Sequence, residues 1–362
     1  MSKKMIIAGG GTGGHIFPAI AIAHALQQRD PSIQILFVGA RGKMEMEKVP
    51  EAGYEIKGLD IAGFNRSSLI KNITLPFKLI KSFFQVRKIF QSFRPDAVIG
   101  VGGYSTFPVL RYAQSKGIPT FIHESNSFAG KANIMLGKNA TKVFTATDGM
   151  ERFFPAEKIL VTGNPVRQAI GAMNTGREQA LQYFSLSPDK LTVLVVGGSL
   201  GARSINEAVI AHIEDLLKAG LQVIWQTGKT LSKEAMEIAV EHREVWANPF
   251  ITEMQYAYAA ADMIVARAGA MTVAEICVAK KPVIFVPYPF ASEDHQTVNA
   301  LQLVNKGAAW MVKDSDAKDQ VVEKVIALAK DAATRRYMSE TLAGLSVTDA
   351  DKRVANEILK TI

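Results

Sequence analysis

Short, nearly unbroken apolar runs recur along this chain, each followed by a longer stretch with the spacing of an amphipathic helix. The runs at residues 5–8, 33–38, 97–101, 120–123 and 142–146 predict strands in the first half, and those at 192–196, 222–226, 263–266 and 283–286 predict strands in the second. Strands that are apolar on both faces belong in parallel sheets covered by helices, and helical stretches such as 204–218 and 272–279 supply the cover. The expected class is therefore α/β, with one parallel sheet in each half. The tail from Ser315 onward is helical and charged, and its last helix, about 349–362, is expected to pack back on the first domain.

Between the halves lies Val161-Thr162-Gly163-Asn164-Pro165-Val166-Arg167, whose Gly, Asn and Pro interrupt regular structure and mark a hinge. The predicted division is residues 1–163, completed by a returning helix at 346–362, and residues 164–345. A chain of 362 residues suits two cores, because single cores stop growing at ~250–300 residues.

Composition narrows the class further. Hydrophobic residues make up 48% of the chain and charged residues 21%, an ordinary balance for a globular enzyme. No stretch approaches the roughly 20 apolar residues of a spanning helix. Ahead of the first glycines only residues 5–8 are apolar, far short of the ~7–15-residue core of a secretory signal. The single cysteine, Cys277, has no partner for an internal disulfide and fits a reducing cytoplasm.

The 42 Lys and Arg exceed the 34 Asp and Glu, and the formal charge of +8 biases partners toward anions. In the segment from Ser67 to Arg94, Lys78 and Lys81 interleave with Ile73, Phe77, Ile80 and Phe83. Basic residues beside bulky apolar ones suit a helix lying on an anionic membrane surface better than a nucleic-acid groove. The competing reading is an amphipathic helix that packs those side chains on its own domain.

Two glycine-rich loops carry the first chemical signal. Gly9-Gly10-Gly11-Thr12-Gly13-Gly14-His15 and Gly197-Gly198-Ser199-Leu200-Gly201-Ala202 each follow a predicted strand and open a helix, one per half. Such loops let backbone N–H groups and the positive end of a helix dipole approach an anion. Gly9, Gly11 and Gly14 satisfy the dinucleotide pattern, yet the second strand ends Val38-Gly39-Ala40-Arg41 without the carboxylate that would hold a ribose. Arg41 could accept a 2′-phosphate, which keeps an NADP oxidoreductase open as an alternative. Neither loop ends in the Gly-Lys-Ser/Thr of a nucleotide hydrolase.

Further candidates follow other strands. Gly102-Gly103-Tyr104 offers another N–H-rich turn, and His123-Glu124-Ser125-Asn126 lies where open α/β sheets place ligand groups. Arg267-Ala268-Gly269-Ala270-Met271-Thr272 opens a helix that could present backbone donors to a phosphate, with Glu275 expected on its first turn for a ribose diol. Asp314-Ser315-Asp316 has the spacing of a metal-binding pair, but Asp and Ser before a helix are ordinary caps.

In order over almost the whole length, these pieces resemble the MurG family. Its members transfer N-acetylglucosamine from UDP-GlcNAc to lipid I, giving lipid II for peptidoglycan. The resemblance also rests on Gly163-Asn164-Pro165-Val166-Arg167, Val286-Pro287, His295-Gln296 and Asn299. It implies a GT-B architecture of two Rossmann-like domains facing a cleft, the first for the acceptor and membrane, the second for UDP-GlcNAc. Inverting transfer without cofactor or metal is implied too. So are a peripheral position on the cytoplasmic face of the plasma membrane, cell-wall synthesis proteins as partners, and no nucleic acid.

Residue by residue, the resemblance implies that Arg167 and Ser199 contact the nucleotide and that the Phe250-Ile251 backbone reads uracil. Ala270, Met271 and Thr272 would line the diphosphate, Glu275 the ribose, and Asn126 and Gln296 the sugar. Thr12, Gly13 and Gly14 are also expected on the donor. Gly11, Thr12, His15, Gly103 and Tyr104 would hold the acceptor pyrophosphate. His15 is the favoured base, since imidazole titrates near pH ~6.5, and Glu124 is its rival. This chain has His-Glu-Ser-Asn where the family usually has His-Glu-Gln-Asn, and Thr106-Phe107 where Ser-Gly is common. A different UDP-sugar transferase of the same fold, and a membrane-surface binding protein without catalysis, are the remaining alternatives.

Overall fold

The apolar runs assemble into two separate parallel sheets. A computed structural model describes residues 2–63, 75–167, 170, 175–198, 200–291 and 294–362. The chain divides into two compact units, Met1–Arg167 with Asp349–Ile362, and Gln168–Thr348.

In the first unit, β1 (Lys4–Ala8), β2 (Gln34–Ala40), β3 (Glu55–Leu59), β4 (Ala97–Gly100), β5 (Thr120–Glu124), β6 (Lys142–Thr145) and β7 (Ile159–Val161) pair in parallel in the order 3-2-1-4-5-6-7. Alternate residues of β1 feed opposite faces, Met5 and Ile7 into one core and Ile6 and Ala8 into the other, so both sides of the strand are dry. Among the described residues, five α-helices precede the hinge: α1 (Gly13–Arg29), α2 (Glu45–Glu51), α3 (Leu75–Phe93), α4 (Thr106–Ser115) and α5 (Lys131–Gly137). The C-terminal helix Ala350–Thr361 belongs to this unit. It buries Val354, Ala355 and Ile358 beside α1, and Lys142 ion-pairs with its Glu357 at 2.7 Å.

The second unit repeats the plan with β8 (Leu191–Val196), β9 (Leu221–Gln226), β10 (Val245–Asn248), β11 (Met263–Ala266), β12 (Val283–Phe285) and β13 (Trp310–Met311), in the parallel order 10-9-8-11-12-13. The helix expected at 204–218 is two helices, Arg203–Ala211 and Ile213–Lys218. They break at His212, whose φ of −130° and ψ of 24° leave the helical region.

Along α3 the buried residues are Ser82, Val86 and Phe90, whereas Phe77, Ile80 and Phe84 are 73%, 57% and 62% exposed. The outward stripe therefore runs through Phe84. Phe83, expected on it, turns toward the buried side and is only partly exposed. Lys78 and Lys81 are exposed beside this stripe, Lys81 pairing with Asp60 at 2.8 Å, and Ile73 lies outside the described residues. Among the described residues no helix is long and apolar enough to cross a membrane.

Candidate functional site

Each sheet reverses its strand order beside its first strand, and open α/β sheets take ligands at the carboxyl ends of the strands flanking such a reversal. In the first unit the flanking strands are β1 and β4, so the loop 9–15 and the turn 102–104 meet there. The Gly10 N–H donates to the Gly102 carbonyl at 3.2 Å, tying the two together. Helix α1 starts at Gly13 with Thr12 as its N-cap, and the Thr12 side chain makes no capping bond. First-turn amides at Gly13 and Gly14 thus keep the helix end suited to an anion.

Gly11 departs from its expected role. Its N–H donates to Glu45 Oε2 at 2.8 Å, so this amide serves a buried carboxylate of the same unit instead of a pyrophosphate. Glu45 is the acidic group that the end of β2 lacked in sequence, but it grips the loop. Arg41, the candidate for a 2′-phosphate, pairs with Asp60 at 2.9 Å. Tyr104 is half-exposed and covers Gly63.

At the end of β5 the run 123–126 splits into distinct jobs. His123 is fully buried, with Nε2 3.3 Å from the Gly163 carbonyl and Nδ1 3.3 Å from Ser125 Oγ. The carbonyl can only accept, so Nε2 carries the proton and Ser125 donates to Nδ1. Burial pushes the His123 pKa down to about 4. Glu124 is also buried, and both its oxygens are occupied. Oε1 accepts from the Asn126 backbone and side chain at 3.0 and 3.3 Å, and Oε2 from Gly130 N–H and Asn133 Nδ2 at 3.0 and 2.8 Å. Such a carboxylate organises the turn and is poorly placed to take a proton from a substrate. Asn126 is thereby held by Glu124, and the Arg167 guanidinium stacks 4.7 Å from the centre of the Phe17 ring.

In the second unit the flanking strands are β8 and β11, followed by the loop 197–202 and the turn 267–269. The helix Ala270–Ala279 has Gly269 as its N-cap, and its first four-residue bond runs from Val273 N–H to the Gly269 carbonyl. Ala270, Met271 and Thr272 occupy the first turn, as a phosphate site requires. Glu275 lies one turn further on than expected, buried, where it accepts from Tyr258 Oη at 3.1 Å. Ile251 N–H donates to Gln226 Oε1 at 3.0 Å, so this amide is engaged within the unit. Gln226 Nε2 also bonds the Gly198 carbonyl at 3.2 Å, linking the glycine loop to the same side chain. Gln296 Oε1 accepts from Tyr288 N–H at 3.0 Å, and Ser199 lies outside the described residues.

Asp314 does not stand open for a metal. Arg267 donates to it, as does Ser204 Oγ, and Arg267 also holds the Val286 and Pro287 carbonyls at 2.9 and 3.1 Å.

Residues 5–145 match the glycosyltransferase family 28 N-terminal domain, and residues 192–354 its C-terminal domain. The chain is 49% identical over 360 residues, covering 99% of itself and 96% of the relative, to the UDP-N-acetylglucosamine--N-acetylmuramyl-(pentapeptide) pyrophosphoryl-undecaprenol N-acetylglucosamine transferase of Phocaeicola vulgatus. It is 46% identical to the protein of the same name from Parabacteroides distasonis, over 99% of this chain and 98% of that one. The crystal structure of Acinetobacter baumannii MurG is similar with a TM-score of 0.78 and 30% identity, over 99% of both chains. The chain belongs to the MurG family, glycosyltransferase family 28.

The glycine loops, the 267–272 turn and the 123–126 run all lie at the carboxyl ends of strands, where the sequence predicts them. Sequence reading missed the side chains that brace them: Glu45, Asn133, Gln226, Tyr258 and Ser204. Gln226 ends a predicted strand, but nothing in its spacing marks it as the partner of Ile251.

Proposed function

We propose that this protein transfers N-acetylglucosamine from UDP-GlcNAc to the 4-hydroxyl of the N-acetylmuramyl residue of lipid I, with inversion, giving lipid II. The observation that carries this reading is the pairing of full-length similarity to MurG enzymes with a helix start lacking a side-chain cap at the strand-order reversal of each unit. One reversal suits the acceptor pyrophosphate, through Thr12, Gly13, Gly14 and the Gly103-Tyr104 turn. The other suits UDP.

Loss of UDP builds negative charge on the β-phosphate, and fixed amide dipoles aimed at that charge stabilise the transition state more than the ground state. In this reading Ala270, Met271 and Thr272 supply those amides, with Arg167 and Ser199 as further nucleotide contacts. The Ile251 carbonyl accepts from the uracil N–H. Glu275 binds the ribose diol with its carboxylate oriented by Tyr258. Asn126 and Gln296 orient the transferred sugar.

His15 is the base. Its Nδ1 lies 3.0 Å from the Gly10 carbonyl and must donate to it, so Nε2 of the neutral ring carries the lone pair that accepts the hydroxyl proton. The exposed Phe77, Ile80 and Phe84 with Lys78 and Lys81 form a surface for the anionic face of the membrane that carries the lipid acceptor.

The decisive experiment is label transfer from UDP-GlcNAc to a short-chain lipid I analogue, beside calorimetry with UDP. Transfer with UDP binding is expected. UDP binding without transfer to this acceptor would favour another glycolipid, and absence of UDP binding would overturn the reading. Glu275→Ala should weaken UDP-GlcNAc binding, and unchanged affinity would remove the ribose assignment.

A further inference from the structure

The peptide unit joining Gly10 to Gly11 is gripped at both ends. Its carbonyl accepts from His15 Nδ1 at 3.0 Å, and its N–H donates to Glu45 Oε2 at 2.8 Å. The second oxygen of Glu45 accepts from Ala40 N–H at 2.9 Å, at the end of β2, and the carboxylate is buried. Glu45 is therefore fixed to the sheet on one side, and on the other it reaches the imidazole through a single peptide.

Two glycines clear the space for this arrangement. Gly10 has φ +146°, and a β-carbon there would collide with the Glu45 carboxylate. Gly102 has φ +95°, and a β-carbon there would collide with the His15 ring. Any side chain at either position would break the line of contacts.

A carboxylate at the N–H end of a peptide polarises it and enriches charge on its carbonyl oxygen, so the bond to His15 Nδ1–H is strengthened in turn. The effect on the ring is that of a carboxylate bonded directly to a catalytic histidine: one tautomer, one orientation, and Nε2 left as the basic nitrogen. We infer that Glu45 is a positioning residue for His15, setting the tautomer and orientation of the imidazole through the Gly10–Gly11 peptide. This deepens the assignment of His15 as the base and rests on it for its catalytic meaning.

A carboxylate that only stapled the loop would affect stability and acceptor binding and leave the imidazole tautomer alone. The test uses the full chain labelled with ¹⁵N at histidine. With neutral imidazoles, His15 should be in the Nδ1–H form in the unmodified protein and should move toward the Nε2–H form in Glu45→Gln. Turnover should fall about 10- to 100-fold, as misplacement of a reacting group does, with KM for UDP-GlcNAc unchanged. In a His15→Ala background the same substitution should change turnover less than ~2-fold, because residues acting as a unit are not additive. If Glu45→Gln does not fold, Glu45→Asp carries the test: it withdraws the carboxylate by one methylene and should give an intermediate shift of the same signals.

An Nε2–H ring in the unmodified protein, or a tautomer indifferent to both variants, would overturn the coupling. So would losses that multiply independently. Near-normal turnover in His15→Ala together with a Glu45-dependent tautomer would instead remove His15 as the base while the coupling stands.

Discussion

Asn133 Nδ2 donates to Glu124 Oε2 at 2.8 Å, completing a set of four donors around one buried carboxylate. The bond joins the end of β5 to α5 and explains why Glu124 organises the turn. Glu124→Gln places an NH₂ group against N–H donors, at a cost of about 1–3 kcal/mol for each group left unsatisfied. The variant should melt at lower temperature and turn over more slowly, while the pH dependence of kcat keeps its ascending limb. Loss of that limb at unchanged melting temperature would make Glu124 the base after all.

The Arg267–Asp314 pair should behave as a brace for the 267–269 turn. Both groups are half-buried, and removing one member leaves the other's charge without its partner, at a cost that solvent around Asp314 reduces to about 1–3 kcal/mol. Asp314→Asn should lower stability on this scale in denaturant melts and weaken UDP binding. Adding Mg²⁺ or Mn²⁺, or removing them with EDTA, should leave unmodified turnover unchanged. Metal-dependent turnover abolished by Asp314→Asn would restore the metal reading.

Burial holds the His123 pKa at about 4, below the ordinary imidazole value of 6.5. The unfolded chain therefore binds a proton that the folded chain refuses between these two values. This group costs no stability above pH 6.5, and then about 1.4 kcal/mol per pH unit as the pH falls toward 4. Below that the loss levels off, because the folded state protonates as well. Urea titrations across this window should show the slope, and it should vanish in His123→Asn. A slope that survives the substitution would assign it to other groups.

The stripe on α3 gives a test of membrane docking. Burying three bulky apolar side chains is worth roughly 1.5–3 kcal/mol each when complete, so changing Phe77, Ile80 and Phe84 together to Ser should lower partitioning onto anionic vesicles by at least ~100-fold. Turnover on a water-soluble acceptor analogue should persist. Vesicle binding retained by the triple variant would exclude this face as the contact.

What the sequence made visible follows physical lines. The four strands absent from the apolar pattern, β3, β7, β10 and β13, are the four edge strands of the two sheets. Ile56 and Lys57 of β3, Trp246 of β10 and both residues of β13 are partly or fully exposed, so the continuous apolar run that marks a central strand is missing. The glycine loops were legible because their turns take positive φ at Gly10, Gly11, Gly198 and Gly201, which demands glycine locally. Glu45 was not. It stands in Lys43-Met44-Glu45-Met46-Glu47, which reads as a solvated helix face, and it becomes a buried acceptor only when β1 and β2 pair and bring the loop 9–11 against it. Phe83 and Phe84 show the same limit, since helical phase alone could not say which neighbour the domain would cover.

The return of helix Ala350–Thr361 to the unit that begins with β1 has a consequence for biogenesis. Val354, Ala355 and Ile358 complete the hydrophobic layer beneath α1, so that layer stays unfinished until the ribosome has passed the last of them. By then every strand of the second unit has been synthesised. The second unit is thus free to fold during translation, and the unit that holds His15 acquires its final packing last.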